Sequence, residues 1–291
     1  PLSDGPFEET CAGLCLTEKG TLLVNYSTSL AWALEGEITD PALRAWWEKT
    51  KETPLAEVHS AVNFWMRRST DGGVTWSAPY EIPCNPLDGA LALGEGSLSL
   101  FGHRVTDSIR QMIGGERNNF ILSNAVSTDD GQSWQRVKDL GAVEGAGLVA
   151  DCLRESGSAA GRDGGGAVFL RNPYSPGQAE LKCFEISQAE PNQWTSQQPA
   201  GEAAAFHVTS LPKGGLLLSY LEAKGDRSAL HARISNDGGT TWKEAGAIAD
   251  RGGTIHPGFS SVVLEDGSVV TVWLEERAPS AWRLRYRLWK P

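Results

Sequence analysis

Ser69-Thr70-Asp71-Gly72-Gly73-Val74-Thr75-Trp76 has two near copies in the chain. They are Ser127-Thr128-Asp129-Asp130-Gly131-Gln132-Ser133-Trp134 and Ser235-Asn236-Asp237-Gly238-Gly239-Thr240-Thr241-Trp242. All three fit S-x-D-x-G-x-[ST]-W. A worn fourth copy runs from Ser187 to Trp194, with Glu190 and Asn192 in place of the acid and the glycine. The residue types describe a tight turn: the Asp accepts backbone N–H groups and the Gly takes a positive φ. The Trp then buries a large ring against the neighbouring strands. This assigns the octapeptide a structural task, the locking of two outer strands; binding of calcium or a ligand by the turn is the alternative reading.

The same grammar recurs around each copy: an apolar run, a turn with glycine, a second run, then a strand leading into the octapeptide. The first module reads Cys11 to Leu16, Thr21 to Tyr26 and Val62 to Arg68. The second reads Ala90 to Leu93, Ser97 to His103 and Phe120 to Val126, and the third Gly147 to Leu153, Ala167 to Leu170 and Glu180 to Ile186. The fourth reads Ala205 to Leu211, Leu216 to Tyr220 and Ala229 to Ile234, and the fifth Phe259 to Leu264, Ser268 to Leu274 and Trp282 to Leu288. Repeats of one supersecondary unit mean a repeat architecture. The expected fold is all-β, a β-propeller of four-stranded antiparallel blades in a single domain over residues 1–291, with five blades expected and six left open. The fifth module lacks a fourth strand, and Pro1 to Glu8 could supply it, so that no sheet edge is left open.

One stretch breaks the grammar. Residues 27–60 form an insertion with helical character, Asp40 standing as N-cap and Pro41 in the first turn before Ala42 to Lys51. Its place between the second and third strands puts it on the rim where first strands begin, as a pocket wall or as packing.

The chain of 291 residues is 40% hydrophobic and 21% charged, enough for a sizeable core, with 33 glycines and 11 tryptophans. The formal net charge of −10 and the lack of a basic cluster argue against nucleic acid as partner. No apolar stretch is long enough to span a bilayer as a helix. Five cysteines cannot all pair internally, and no C-x-x-C spacing suggests zinc; a Cys152–Cys183 link is the one pair to check. No cofactor and no metal are expected, and the oligomeric state is not legible. The chain begins at Pro1, which reads as a removed N-terminus. The expected location is secreted or periplasmic, with cytoplasmic left open.

The octapeptide is the Asp box, and longer stretches resemble the sialidase (neuraminidase) superfamily. Phe64-Trp65-Met66-Arg67-Arg68-Ser69-Thr70-Asp71-Gly72-Gly73 is similar to the strand that enters a box in bacterial exo-sialidases. Residues 168–177 (VFLRNPYSPG) and 264–273 (LEDGSVVTVW) resemble segments further along that family's chain. The resemblance implies the propeller and a glycan as partner. It also implies three arginines holding a carboxylate, a Tyr nucleophile assisted by a Glu, and an Asp acid/base. At the place of the first arginine this sequence has Thr10, and at the candidate places of the nucleophile Phe206 and Phe259.

The rim built from strand starts and from the loops after second strands supplies the remaining candidates. Glu9, Glu144 and Glu202 are candidate catalytic carboxylates, because glycoside hydrolysis needs one protonated acid and one base or nucleophile. His256 is a candidate base. Arg104, Arg171 and Arg277 occupy similar places in three modules and suit an anionic sugar group; Tyr26, Tyr174 and Asp88 complete the candidate binding set. For each, rim solvation, ion pairing or packing is the competing role. The expected function is a glycoside hydrolase acting on a glycan, with an acidic one in view. A non-catalytic glycan-binding propeller and a polysaccharide lyase with a His base and a Tyr acid are the alternatives.

Overall fold

The computed structural model describes residues 8–29, 44–45, 48, 63–86, 89–94, 96–105, 120–139, 156–160, 166–171, 179–186, 194–224, 227–250, 254–278 and 281–291. Two compact units divide the chain, Pro1–Ala150 and Asp151–Pro291. In the first unit, β1 (Glu8–Leu16), β2 (Leu22–Ser29), β3 (Phe64–Ser69) and β4 (Tyr80–Glu81) form one sheet in chain order. The next contains β5 (Asn85–Pro86), β6 (Leu91–Gly94), β7 (Ser97–Val105), β8 (Phe120–Ser127) and β9 (Gln135–Asp139); β5 and β6 both pair with β7, which continues to β8 and β9.

In the second unit β10 (Ser156–Ala160), β11 (Gly166–Arg171), β12 (Ala179–Ile186) and β13 (Trp194–Ala203) form a sheet. β14 (Ala205–Leu211), β15 (Gly215–Lys224), β16 (Arg227–Ser235) and β17 (Lys243–Ala249) form another. β18 (Ile255–Val263), β19 (Val269–Ala278) and β20 (Ala281–Trp289) form a three-stranded one. Every pairing is antiparallel and, apart from the branch where β5 and β6 both meet β7, each sheet runs in chain order, the pattern of consecutive hairpins that the repeated modules anticipate.

Burial explains why the second strands read as continuous apolar runs. Leu216, Leu217 and Leu218 of β15 are all fully buried, so both faces of that strand are covered. Leu216 and Leu218 join Ala203 and Val208 in one core cluster, while Leu217 joins Leu230, Ile248, Phe259 and Trp273 in another. In the first unit Leu23, Met66, Ile82, Cys84, Leu98 and Leu100 form the core. Cys15 and Cys84 are free and buried, and burial pushes their thiols up to about 11 and about 12, so both are inert apolar fillers at neutral pH.

The three Asp boxes share the bonds made by their Ser and Asp side chains. The first and third add a bond from the Trp, which Trp134 of the second does not make among the described residues. In the first, Ser69 Oγ donates to Asp71 Oδ1 (2.7 Å) and accepts from the N–H of Gly73 (2.8 Å). Thr75 donates its N–H to Oδ1 (2.9 Å) and its hydroxyl to Oδ2 (2.5 Å), and Trp76 Nε1 donates to the Gly73 carbonyl (3.0 Å). The box at Ser235 repeats each of these bonds. Gly72 and Gly238 lie at φ 72° and 74°, which is why glycine stands there. Bonds from Thr241, hydroxyl first and backbone second, hold the Asp237 carboxyl down at about 2. Replacing Asp237 with alanine should therefore cost about 1 kcal/mol, the modest value of an open, solvated turn bond. Urea midpoints check it, with Asp237→Asn expected in between; an unchanged midpoint for both variants would refute the structural role.

Several expectations need correction. β2 continues to Ser29, so the insertion starts after its end rather than at residue 27. Residues 44, 45 and 48 are helical, inside the expected helix. The first strand of the third module is Ser156–Ala160, later than the 147–153 expected, because its Ser, Gly and Ala side chains carry no apolar signal. The short β5 was not anticipated. Residues 1–7, most of the worn fourth box, and Cys152 lie outside the described residues.

Candidate functional site

In the second unit β14 lies beside β10 and β18, so the first strands of successive sheets are neighbours. The starts of these strands define the rim expected to hold a ligand. Glu202 is exposed near the end of β13, two residues before the chain turns into β14. In the ladder it stands directly opposite Glu180 of β12, with a register shift immediately after Leu181. The start of β14 is tied down by the Ala204 N–H, which donates to the Leu221 carbonyl (2.8 Å).

His256 is exposed at the start of β18. Its Nδ1 accepts the N–H of Gly258 (2.9 Å), which places the proton of the neutral ring on Nε2. Its ring meets Trp282 edge-on at 5.3 Å. Backbone bonds from Ile255 to Ser228 Oγ (2.6 Å) and from Glu276 to the Thr254 carbonyl (2.9 Å) fix this corner.

The other candidates fall as follows. Arg104, Arg171 and Arg277 lie at or next to the last residue of β7, β11 and β19, the same end of the second strand in three sheets. Glu9 lies in β1 opposite Thr28. Tyr26 is buried in β2 and paired in register with Trp65, so its ring serves packing. Asp88, Glu144 and Tyr174 lie outside the described residues.

Tyr220 and Glu222 of β15, the second strand of the fourth module, belong to a polar cluster whose other members the sequence does not point to. Tyr220 donates its hydroxyl to Glu244 (3.1 Å), Arg233 Nε donates to the same carboxylate (2.5 Å), and the guanidinium sits 4.3 Å above the Tyr220 ring. His231 stacks on the Tyr220 ring at 5.5 Å, its Nε2 3.5 Å from Glu222. Burial above all, and then the two carboxylates against the help of Arg233, raise the Tyr220 hydroxyl to about 12. The phenol is held protonated and donates to the carboxylate, and the cluster braces β15, β16 and β17. The signal for it is the i, i+2 spacing of His231 and Arg233 on one strand face, which any sheet surface shares.

His207 of β14 bonds to β18. Its Nδ1 accepts the Ser261 N–H (3.3 Å), so the hydrogen lies on Nε2, facing Ser260 Oγ at 3.2 Å. With the ring donating toward Ser260, the pair is a clamp between inner strands and not a base-activated serine. Behind it the hydroxyls of Ser219, Ser261 and Thr271 form a chain (2.7 and 2.9 Å) that ends on Trp289 Nε1 (3.1 Å).

A sequence profile described as the BNR/Asp-box repeat matches residues 67–78. No curated protein sequence matches the chain. Among solved structures, a protein of unknown function from Dyadobacter fermentans is 17% identical, with a TM-score of 0.66 over 99% of this chain and 78% of that one. The Hadza microbial sialidase Hz136 is 15% identical, with a TM-score of 0.59; the alignment covers 96% of this chain but only 56% of the sialidase. A thermostable family-43 glycoside hydrolase is 9% identical, with a TM-score of 0.52 over 96% of this chain and 89% of the hydrolase. The likeness is one of fold, and the fold is a sialidase-like β-propeller with Asp boxes. Among the described residues no helix is long and apolar enough to cross a membrane.

Proposed function

We propose that the protein is a glycoside hydrolase of sialidase-like fold whose chemistry is carried by rim carboxylates. The observation that supports this most is the direct opposition of Glu202 and Glu180 in the β12–β13 ladder. Like charges opposite each other cost stability in a sheet, so such a pair needs a reason. Directly opposed residues of an antiparallel pair have Cβ atoms about 4.5–5.5 Å apart, and retaining hydrolysis uses two carboxyl groups roughly 5–5.5 Å apart. One carboxylate attacks the anomeric carbon while the other, protonated, gives its proton to the departing oxygen. Water then cleaves the glycosyl ester, with the second group acting as base. In the second unit His256 is a candidate base and Arg171 and Arg277 are candidate binding groups for an acidic sugar; in the first unit Glu9 and Glu144 are candidate carboxylates and Arg104 a candidate binding group. The glycan is the partner, and a secreted or periplasmic location fits it.

The test is turnover on aryl glycosides, sialosides included, by the wild type and by Glu202→Gln and Glu180→Gln. The expected result is release by the wild type and a loss of about a hundredfold or more in each variant at unchanged melting temperature. One observation favours a second reading, a propeller that binds glycan without turnover. Phe206 and Phe259, at the candidate places of the nucleophile, pack against core clusters and carry no hydroxyl. Glycan binding with no release from any substrate would establish that reading and end the first.

A further inference from the structure

Between β17 and the β19–β20 hairpin lies a cavity of about 550 Å³, within the range of small-ligand pockets. Its lining includes Trp273, Glu275, Arg285, Tyr286, Arg287 and the end of β17 from Ala247 to Asp250. We propose that this groove is a binding site for a neutral sugar residue, separate from the inner strands and from the carboxylate pair of the rim.

Three features carry the assignment. The first is charge. Arg285 and Arg287 are balanced by Glu275 and Asp250, so the lining has no net charge to select a phosphate or a carboxylate sugar. The second is the supply of hydrogen-bonding groups. Arg285 Nε donates to Glu275 Oε2 at 2.7 Å, and among the described residues this is the only hydrogen bond of either side chain. The contact uses one of five guanidinium N–H groups and one of two carboxylate oxygens, leaving donors and an acceptor side by side. A sugar hydroxyl both donates and accepts, so neighbouring hydroxyls on one ring match that pair. The third is Trp273. It is 8% exposed, and its indole N–H is buried with no acceptor among the described residues. A buried donor without a partner is an anomaly in a folded protein, and it lies on a residue of the groove wall.

The groove is also held at a fixed width. Arg287 Nη1 donates to the carbonyls of Ala247 (2.9 Å) and Ile248 (2.8 Å), which pins β17 to β20 across the gap. A pocket already formed before the ligand arrives loses less free energy to ordering. Tyr286 is 76% exposed at the lip, an aromatic with a polar tip that suits a sugar's mixed C–H and O–H surface. The site stands on its own chemistry, whether or not the rim turns substrate over.

The test uses the full chain and a set of methyl glycosides: glucoside, galactoside, mannoside and N-acetylglucosaminide, with a glucuronide and a sialoside as charged comparators. Binding is read by calorimetry and by tryptophan fluorescence, for the wild type, Arg285→Met, Glu275→Gln and Trp273→Phe, with melting temperatures as the control for folding. A neutral glycoside is expected to bind saturably and to change the fluorescence. Arg285→Met and Glu275→Gln should each weaken it by about tenfold or more. Trp273→Phe trims the groove wall and removes the N–H, and should weaken it as well. Any turnover at the rim should be unchanged in Arg285→Met. No saturable binding of a neutral glycoside overturns the proposal. So does neutral binding that all three variants retain, which would lie elsewhere, and so does binding confined to the charged comparators. Loss of rim turnover in Glu202→Gln with the neutral binding intact separates this site from the one proposed above.

Discussion

Replacing Arg68 with alanine should lower the stability of the protein by about 2–3 kcal/mol, short of the full loss for a buried ion pair because the guanidinium is only part-buried. Arg68 leaves β3 and reaches the second Asp box, where its Nη2 meets Asp130 Oδ2 at 3.0 Å and its Nε donates to the Asp130 carbonyl at 3.0 Å. Thr21 of the first sheet donates its hydroxyl to the same carboxylate oxygen at 2.6 Å. Asp130 is 8% exposed and lies at φ 63°, where the other two boxes have glycine. A non-glycine residue in that conformation costs about 1 kcal/mol or more, so the box gives up backbone comfort for a carboxylate that ties two sheets together. Burial works against its charge, yet bonds from Thr17, Thr21 and Arg68 keep Asp130 below the usual carboxylate range. Without the guanidinium the carboxylate stays buried with hydroxyl donors alone.

The double variant Arg68→Ala/Asp130→Gly separates this account from simple loss of packing. Glycine restores the residue that the conformation suits and removes the stranded charge, so the double should be clearly more stable than the sum of the singles, with a coupling of about 2 kcal/mol. Urea unfolding of the four proteins measures it. Additive losses, or an Arg68→Ala loss below about 1 kcal/mol, would mean that the pair is not the link between the sheets.

The boxes were legible in the sequence because each of their positions has one physical demand. The turn needs an acceptor, a positive φ and a ring that reaches back to a carbonyl, and few residues meet each demand. The role of Asp130 was not legible. An extra acid in a polar turn reads as solvated, and nothing in residues 60–70 says that Arg68 crosses to another sheet. β10 was misplaced for the opposite reason: Ser156-Gly157-Ser158-Ala159-Ala160 pairs along its full length with β11 but has no large side chain to announce it. On the rim, the position of Glu202 near a strand start was readable. Its partner was not, because the shift after Leu181 breaks the count by which a register is extrapolated. The Tyr220 and Glu244 contact has the same origin: β16 and β17 pair with two irregularities, and the facing residues follow only from them.

Acid should weaken the protein over two pH ranges of different origin, and His207 sets the first step. Burial of its ring pulls the imidazole down to about 4 from the ordinary value of 6.5. The neutral ring is what the clamp requires, since Nδ1 accepts the Ser261 N–H and a proton there would face another hydrogen. For a histidine depressed in the folded state, the unfolded chain binds the extra proton first. The stability that depends on His207 is therefore complete above about pH 6.5 and falls as the pH drops toward 4, below which this group takes no further part. The shift corresponds to about 2–3 kcal/mol, allowing for the partial exposure of the ring. The second step belongs to the Asp boxes. Asp71, Asp129 and Asp237 each titrate near 2 when folded, so their bonds are intact above the ordinary 3.8 and are lost between there and about pH 2. Urea midpoints of the wild type and His207→Asn between pH 4 and 7 test the first step. The amide keeps an acceptor for Ser261 without a titrating proton, so the variant should lose stability at pH 7 but show a flatter slope down to pH 4. Parallel slopes for the two proteins would show that His207 is already charged in the folded state, and the clamp between β14 and β18 would need a different description.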